Sequence, residues 1–195
     1  LARGLVNWFP RELRGVEAIN LCGVVGTVKS PPDEKRLMGA GFFLDRYRAM
    51  GHELRGDERT RRAIRVNTLL ANRDEVVGRL EARGARLTGI PWLRDGLYVE
   101  GGESSAGASF EYLLGLYSIQ EAAAQFPVEV LAPEAGEVVL DMCAAPGGKT
   151  TQMAALMNNT GEIVANDRSK IRLFKLVANL KLQGVTNVRT SLAEG

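Results

Sequence analysis

With 195 residues, 45 % of them apolar and 25 % charged, the chain can bury a real core and has the composition of an ordinary globular protein. Two cysteines and one histidine exclude a disulfide framework, a zinc cluster and the usual histidine-based metal sites, so no metal is expected. No apolar run has the length of a membrane span and no signal-peptide pattern opens the chain; the cysteine usage makes an intracellular, reducing compartment the simplest reading.

Net charge is +2 but unevenly placed. Residues 1–72 hold 13 Lys/Arg against 8 Asp/Glu, a local charge of +5; residues 73–195 hold 12 against 15, or −3. A basic front half suits a polyanion partner, although a solvated surface explains the same counts. The chain opens on Leu1 rather than Met, so its first residue is not taken as a native start.

Residues 1–60 read as a partly helical basic segment. Residues 21–28 form a candidate strand and 30–33 a Pro-Pro turn. From Glu34 a helical pattern runs through Leu37, Met38, Phe42, Leu44 and Tyr47, interrupted by Gly39 and Gly41. Arg46, Arg48, Arg55, Arg59, Arg61, Arg62 and Arg65 form an arginine-rich passage, suited either to phosphates or to a polar helix face.

Residues 61–104 read as a small α/β domain. A strand over 65–69 is followed by a helix capped by Asn72, with Val76, Val77 and Leu80 inward and Gly84 as its stop. Two short strands, 85–90 and 96–99, flank the turn Arg94-Asp95-Gly96. Residues 101–107 are the clearest linker in the chain. Beyond it, Tyr112, Leu113, Leu116 and Tyr117 form a core-packing cluster, and 119–126 reads as a helix ended by Pro127.

The most informative stretch follows. An apolar run over 138–141 reads as a buried strand, then comes a turn of small or special residues: Cys143, Ala144, Ala145, Pro146, Gly147 and Gly148, followed by Lys149. From Thr150 a helix shows Met153, Leu156 and Met157 on one face, with Asn158, Asn159 and Gly161 to stop it. Small residues let a ligand approach the backbone, and the helix N-terminus offers unpaired N–H groups to a negative group. A P-loop is excluded, because its first glycine position holds Cys143. The Gly-x-Gly-x-x-Gly dinucleotide signature is absent too, which makes a nicotinamide dehydrogenase a poor reading.

What remains is an adenosyl-type site. Residues 162–166 read as a second strand, with Asp167 at its tip, where such folds hold a ribose hydroxyl pair. The next helix starts at Ser169, is expected to bury Ile171, Phe174 and Val177, and stops near Gly184; a third strand spans 188–192. Three strands in sequence order would leave 138–141 at an exposed edge, a hazard for aggregation or self-association.

Asp141-Met142-Cys143-Ala144-Ala145-Pro146-Gly147-Gly148-Lys149-Thr150, followed by Ala165-Asn166-Asp167, resembles the RNA 5-methylcytosine methyltransferases of the nucleolar-protein/Sun family. The resemblance extends to Arg65-Val66-Asn67-Thr68 and to Tyr117-Ser118-Ile119-Gln120-Glu121, and so covers about residues 60–195. It implies an α/β fold: a Rossmann-type S-adenosylmethionine-binding parallel sheet, represented by its first three strands, in residues 105–195. A small RNA-recognition-like domain in 61–104 and an N-terminal helical segment would precede it.

Carried over by position, the cofactor residues would be Cys143, Ala144, Ala145, Pro146, Gly147, Gly148 and Lys149, with Asp167 on the ribose and Arg172 nearby. Glu194 would stand where the family has an adenine-side Asp. Arg65, Asn67 and Gln120 become secondary candidates for RNA contact, with strand anchoring as the alternative. The family has small hydroxyl residues where this chain has Ala122-Ala123-Ala124.

The resemblance implies methyl transfer from S-adenosylmethionine to C5 of cytosine in RNA, with rRNA ahead of tRNA as substrate. Location would be nucleolar in a eukaryote and cytoplasmic in an archaeon or bacterium. The family's catalytic cysteines lie beyond its fourth and fifth strands, so no catalytic residue is expected within 1–195. Cys143 falls in the cofactor turn, on the methionine side, and is not read as the nucleophile. The competing reading is a non-catalytic module that binds RNA or cofactor without turnover.

Overall fold

The computed structural model describes residues 17–19, for their backbone, together with 45, 48–51, 61–102 and 106–193. The candidate strand at 21–28, the Pro-Pro turn, most of the helical pattern from Glu34, Arg46, Arg55, Arg59 and Glu194 lie outside the described residues. The chain divides into two compact units, Leu1–Leu21 with Arg62–Gly195, and Cys22–Arg61. Within the second unit, Asp45 and Arg48 are helical and paired at 3.1 Å.

The first unit holds two four-stranded sheets among its described residues. Its elements in chain order are β1 (Glu17–Ile19), β2 (Ala63–Val66), α1 (Arg73–Glu81), β3 (Ala85–Gly89) and β4 (Gly96–Gly101). A 3₁₀ turn (Ala106–Ala108), α2 (Phe110–Leu113), β5 (Tyr117–Ile119) and α3 (Ala122–Leu131) follow. The series closes with β6 (Val138–Asp141), α4 (Gly148–Leu156), β7 (Glu162–Asn166), α5 (Lys170–Leu182) and β8 (Val188–Ser191).

The antiparallel sheet runs β3-β4-β2-β5, with Ala63 opposite Tyr98 and Ile64 opposite Ile119. Every residue of its central strand β2 is buried, Ala63 and Arg65 on one face, Ile64 and Val66 on the other. Ile64 and Val66 meet Val76 and Leu80 of α1, whose N-cap is Asn72 as the sequence predicts, accepting from Glu75 N at 2.8 Å. Leu97 and Tyr117 complete that core, and Tyr112 tilts against Tyr117 at 5.9 Å. The linker read at 101–107 does not end this sheet. Tyr117–Ile119, expected to begin a helix at its last residue, returns as the edge strand β5 paired with β2.

Pro127 does not end α3 either, which continues to Leu131 and turns off at Ala132 in the left-handed region. The lost N–H is outweighed by anchoring, since Gln125 and Val128 of this helix are buried at 1 % and 0 % exposure.

The parallel sheet runs β1-β6-β7-β8. The edge position expected for 138–141 is therefore corrected: β1 pairs with β6 in parallel, Ala18 opposite Leu140. No periodicity in a three-residue strand announces such a partner, because its pairing is long-range. Val139, Ile163 and Ala165 face α4 and α5, packing on Met153, Ala154, Met157, Leu176 and Leu180. Asn158 and Asn159, both left-handed at φ 50° and 56°, stop α4 as predicted. Helix α5 begins at its N-cap Ser169 but turns a different face inward: Leu176 and Leu180 are buried, while Ile171 and Phe174 are 74 % and 66 % exposed. The helix carries two apolar stripes, and only the position of the sheet selects between them.

Candidate cofactor turn and the network behind it

Strand β6 delivers Asp141 to the start of the turn and α4 leaves it at Gly148, so residues 142–147 are held between the end of a strand and the free N–H groups of a helix N-terminus. Asp141 closes the base, accepting from Thr150 Oγ1 at 2.8 Å and from Cys143 N at 3.3 Å. Burial pushes its carboxyl above the usual range, partly offset by those hydrogen bonds and by Lys149. Ala144 N donates to Asn166 O at 2.9 Å, tying the turn to the tip of β7. The Ala145–Pro146 peptide is cis. Gly147 sits at φ 109°, and a Cβ there would come within 2.8 Å of Leu176 Cδ1; both facts require glycine.

Asp167 lies directly beside the turn. Its Oδ2 accepts from Ala145 N at 3.3 Å and its Oδ1 from Ser169 N at 2.9 Å, with the carboxylate only 2 % exposed. Arg172 joins both groups, donating to Ala145 O and lying 3.5 Å from Asp167 Oδ2, while half of its own side chain remains exposed. From further along α5, Asn179 donates to Pro146 O at 2.8 Å. Six of the residues named by the sequence reading thus come together: Ala144, Ala145, Pro146, Gly147 and Gly148 of the turn, and Asp167. Arg172 completes them from the side, and Cys143 and Lys149 stand at the two ends of the turn, Cys143 exposed and Lys149 half-buried.

Asp141, Asn166 and Asn179 were not singled out from the sequence. Asn166 brackets Ala193, donating to its carbonyl at 3.1 Å and accepting from its N–H at 3.0 Å, and so fixes the loop that leaves β8. A polar amide ending an otherwise apolar strand, immediately before the acid, was the available signal for it.

The three secondary candidates for RNA contact are interior residues of the described structure, in keeping with the anchoring alternative: Arg65, Asn67 and Gln120 are 2 %, 1 % and 8 % exposed. Arg65 Nη2 lies within hydrogen-bond range of Thr151 Oγ1 (2.9 Å), Gln183 Oε1 (2.9 Å) and Ser118 Oγ (3.1 Å). Asn67 Nδ2 bridges Gly115 O and Gln183 O, both at 2.9 Å. Gln120 donates to Gln152 Oε1 at 3.2 Å and backs onto Gly148. These side chains join the antiparallel sheet to α4 and to the end of α5. The strand pattern could not reveal this, because both faces of β2 are covered.

A parallel sheet with a small-residue turn leading into a helix, and an acid at the tip of the second strand, defines a Rossmann-type nucleotide-binding unit, here with an antiparallel sheet packed beside it. Two family models match. Residues 128–195 fit the 16S rRNA methyltransferase RsmB/F and residues 40–122 the N-terminal domain of 16S rRNA methyltransferase RsmF. The chain belongs to this family, that of the Sun and nucleolar-protein RNA cytosine-5 methyltransferases.

Among curated relatives, the ribosomal RNA small subunit methyltransferase F of Vibrio campbellii is 43 % identical over 139 residues, 69 % of this chain and 29 % of that protein. The tRNA (cytosine(49)-C(5))-methyltransferase of Pyrococcus abyssi is 43 % identical over 136 residues, 69 % of this chain and 43 % of that protein. The chain therefore spans less than half the length of either. Among solved structures, a methyltransferase homologue from Pyrococcus horikoshii superposes with a TM-score of 0.68 at 34 % identity, over 77 % of this chain and 55 % of that one. NSun6 from Pyrococcus horikoshii with SFG, an S-adenosylmethionine analogue, shares the fold at a TM-score of 0.64 and 23 % identity, over 69 % of this chain and 58 % of that one.

Proposed function

We propose that these residues form the cofactor side of an enzyme that transfers a methyl group from S-adenosylmethionine to C5 of a cytosine in RNA, with rRNA ahead of tRNA. The observation that carries this is the packing of Asp167 against the turn, its Oδ2 3.3 Å from Ala145 N, so that a ribose acceptor and a close-approach backbone lie side by side. In this reading Asp167 accepts from the ribose hydroxyls. A carboxylate takes about four hydrogen bonds, and the half-exposed Arg172 is the partner that gives way. The N–H groups at the start of α4 receive the amino-acid carboxylate, with Lys149 as a neighbouring cation. Glu194 is assigned to the adenine side.

When bound, the cofactor supplies a methyl group on a sulfonium, an electrophile. A cytosine becomes nucleophilic at C5 once a thiolate adds to its C6; loss of the C5 proton after transfer expels the thiolate again. Cys143 does not supply that thiolate, since it stands at the methionine end of the turn. The relatives' substrates support the RNA assignment: rRNA for the Vibrio protein and the two family models, tRNA for the Pyrococcus abyssi protein. An rRNA or tRNA substrate supports an intracellular location. Within the chain we assign the antiparallel sheet, through Tyr117–Ile119, to the accessory domain and the segment from α3 onward to the cofactor domain.

Calorimetric titration with S-adenosylmethionine tests the assignment. Wild-type protein should bind, and Asp167→Ala should lose affinity by about a hundredfold or more, the cost of an unpaired hydroxyl pair in a closed site. Equal binding by both proteins would remove Asp167 from the site, and a folded wild type that does not bind would leave the non-catalytic reading.

A further inference from the structure

Arg65 is a fully interior cation that the proposed chemistry does not use. Its placement is specific. Nη2 donates to Thr151 Oγ1 at 2.9 Å, and Thr151 Oγ1 donates in turn to Gly148 O at 3.2 Å. Gly148 is both the last glycine of the turn and the first residue of α4. Two hydrogen bonds therefore connect the central strand of the antiparallel sheet to the cofactor turn.

The same guanidinium holds the other helix that shapes the turn. Gln183, the C-cap of α5, accepts at Oε1 from Arg65 and from Ser118, each at 2.9 Å, and its backbone carbonyl accepts from Asn67. Helix α5 in turn supports the turn through Asn179 on Pro146 O and through Leu176 beneath Gly147. Both helices that flank the turn are thus referenced to one side chain.

No carboxylate forms an ion pair with Arg65 among the described residues, and its Nε and Nη1 are buried there without a hydrogen-bond partner. Asp95 and Glu129 act on it only from a distance; burial lowers its pKa to about 10, which leaves it charged at neutral pH. In a dry interior such a charge is weakly screened and adds to the positive end of α4.

We propose that Arg65 is a positioning residue for cofactor binding: through Thr151 it fixes Gly148, and its buried charge favours the cofactor's amino-acid carboxylate at the start of α4. This rests on the cofactor reading above. It assigns to the antiparallel sheet a part in cofactor affinity, separate from any RNA contact.

The test compares two ligands on the full-length protein, S-adenosylhomocysteine, which carries the carboxylate, and 5′-methylthioadenosine, which shares the nucleoside but lacks it. Arg65→Met should weaken S-adenosylhomocysteine about tenfold and methylthioadenosine by less than about twofold, as expected for loss of a charge near a helix N-terminus. Thr151→Val, an isosteric change that removes the hydroxyl and with it both hydrogen bonds of the Arg65–Thr151–Gly148 link while leaving the charge in place, should show the same preference at smaller size, and decides the matter if Arg65→Met does not fold. Folded variants that lose both ligands equally, or neither, overturn the inference by reducing Arg65 to a packing role. A wild type that binds neither ligand overturns the cofactor reading, and this inference with it.

Discussion

Gly147 carries two independent demands. Its φ of 109° lies where a side chain is strained, and a Cβ would press on Leu176 at 2.8 Å, inside the α5 packing. Gly147→Ala should therefore cost about 1–3 kcal/mol in urea denaturation and displace the turn enough to weaken S-adenosylmethionine binding. Asp141 makes a pH-dependent contribution of known sign. Burial raises its folded pKa above the value in the unfolded chain, so the folded state holds more protons in that window. Stability from this group therefore falls as pH rises from the ordinary carboxylate range through the raised folded value. Denaturation of wild type and Asp141→Asn followed from the ordinary carboxylate range upward should show the wild type gaining on the variant as the pH falls; parallel curves would mean that burial does not raise the carboxyl of Asp141.

Among the elements, α5 is the one whose orientation needed the rest of the molecule. Ile171 and Phe174 satisfy helical spacing as well as Leu176 and Leu180 do, yet the first pair is exposed and the second buried. Leu176→Ala should cost about 2–5 kcal/mol, the transfer term plus a cavity. Phe174→Ser should stay within about 0.5 kcal/mol, as for other exposed positions. Equal costs in thermal denaturation would contradict the packing described. Helix α3 teaches a related point: Pro127 reads as a stop, but the burial of Gln125 and Val128 carries the helix past it. By contrast β7 falls on residues 162–166 as the sequence predicts, because an apolar strand bounded by Gly161 and Asp167 has no competing pattern.

At the scale of the whole unit, the two sheets are joined by polar side chains. Asn67 alone satisfies carbonyls of Gly115 and Gln183, one before β5 and one at the end of α5. Asn67→Ala should cost about 1–3 kcal/mol by leaving buried acceptors unpaired, and should leave RNA affinity unchanged. A loss of RNA affinity without a loss of stability would restore Asn67 as a contact residue. The edge of the parallel sheet belongs to this scale as well. With β1 paired along β6, Val139–Asp141 is not the edge of that sheet.

The strand, turn and helix of the cofactor side, the capping of α1 and α5, and the membership of the family were legible in the sequence. They depend on local patterns: apolar runs, Asn72 and Ser169 as caps, and a turn of small residues flanked by an acid. Only the tertiary structure decided which stripe of α5 is buried, that 17–19 pairs with β6, that 117–119 returns to β2, and that Arg65 and Asn67 face inward. Each of these depends on contacts between residues far apart in the chain, and a side chain's neighbours across such distances leave no periodic trace around the residue itself.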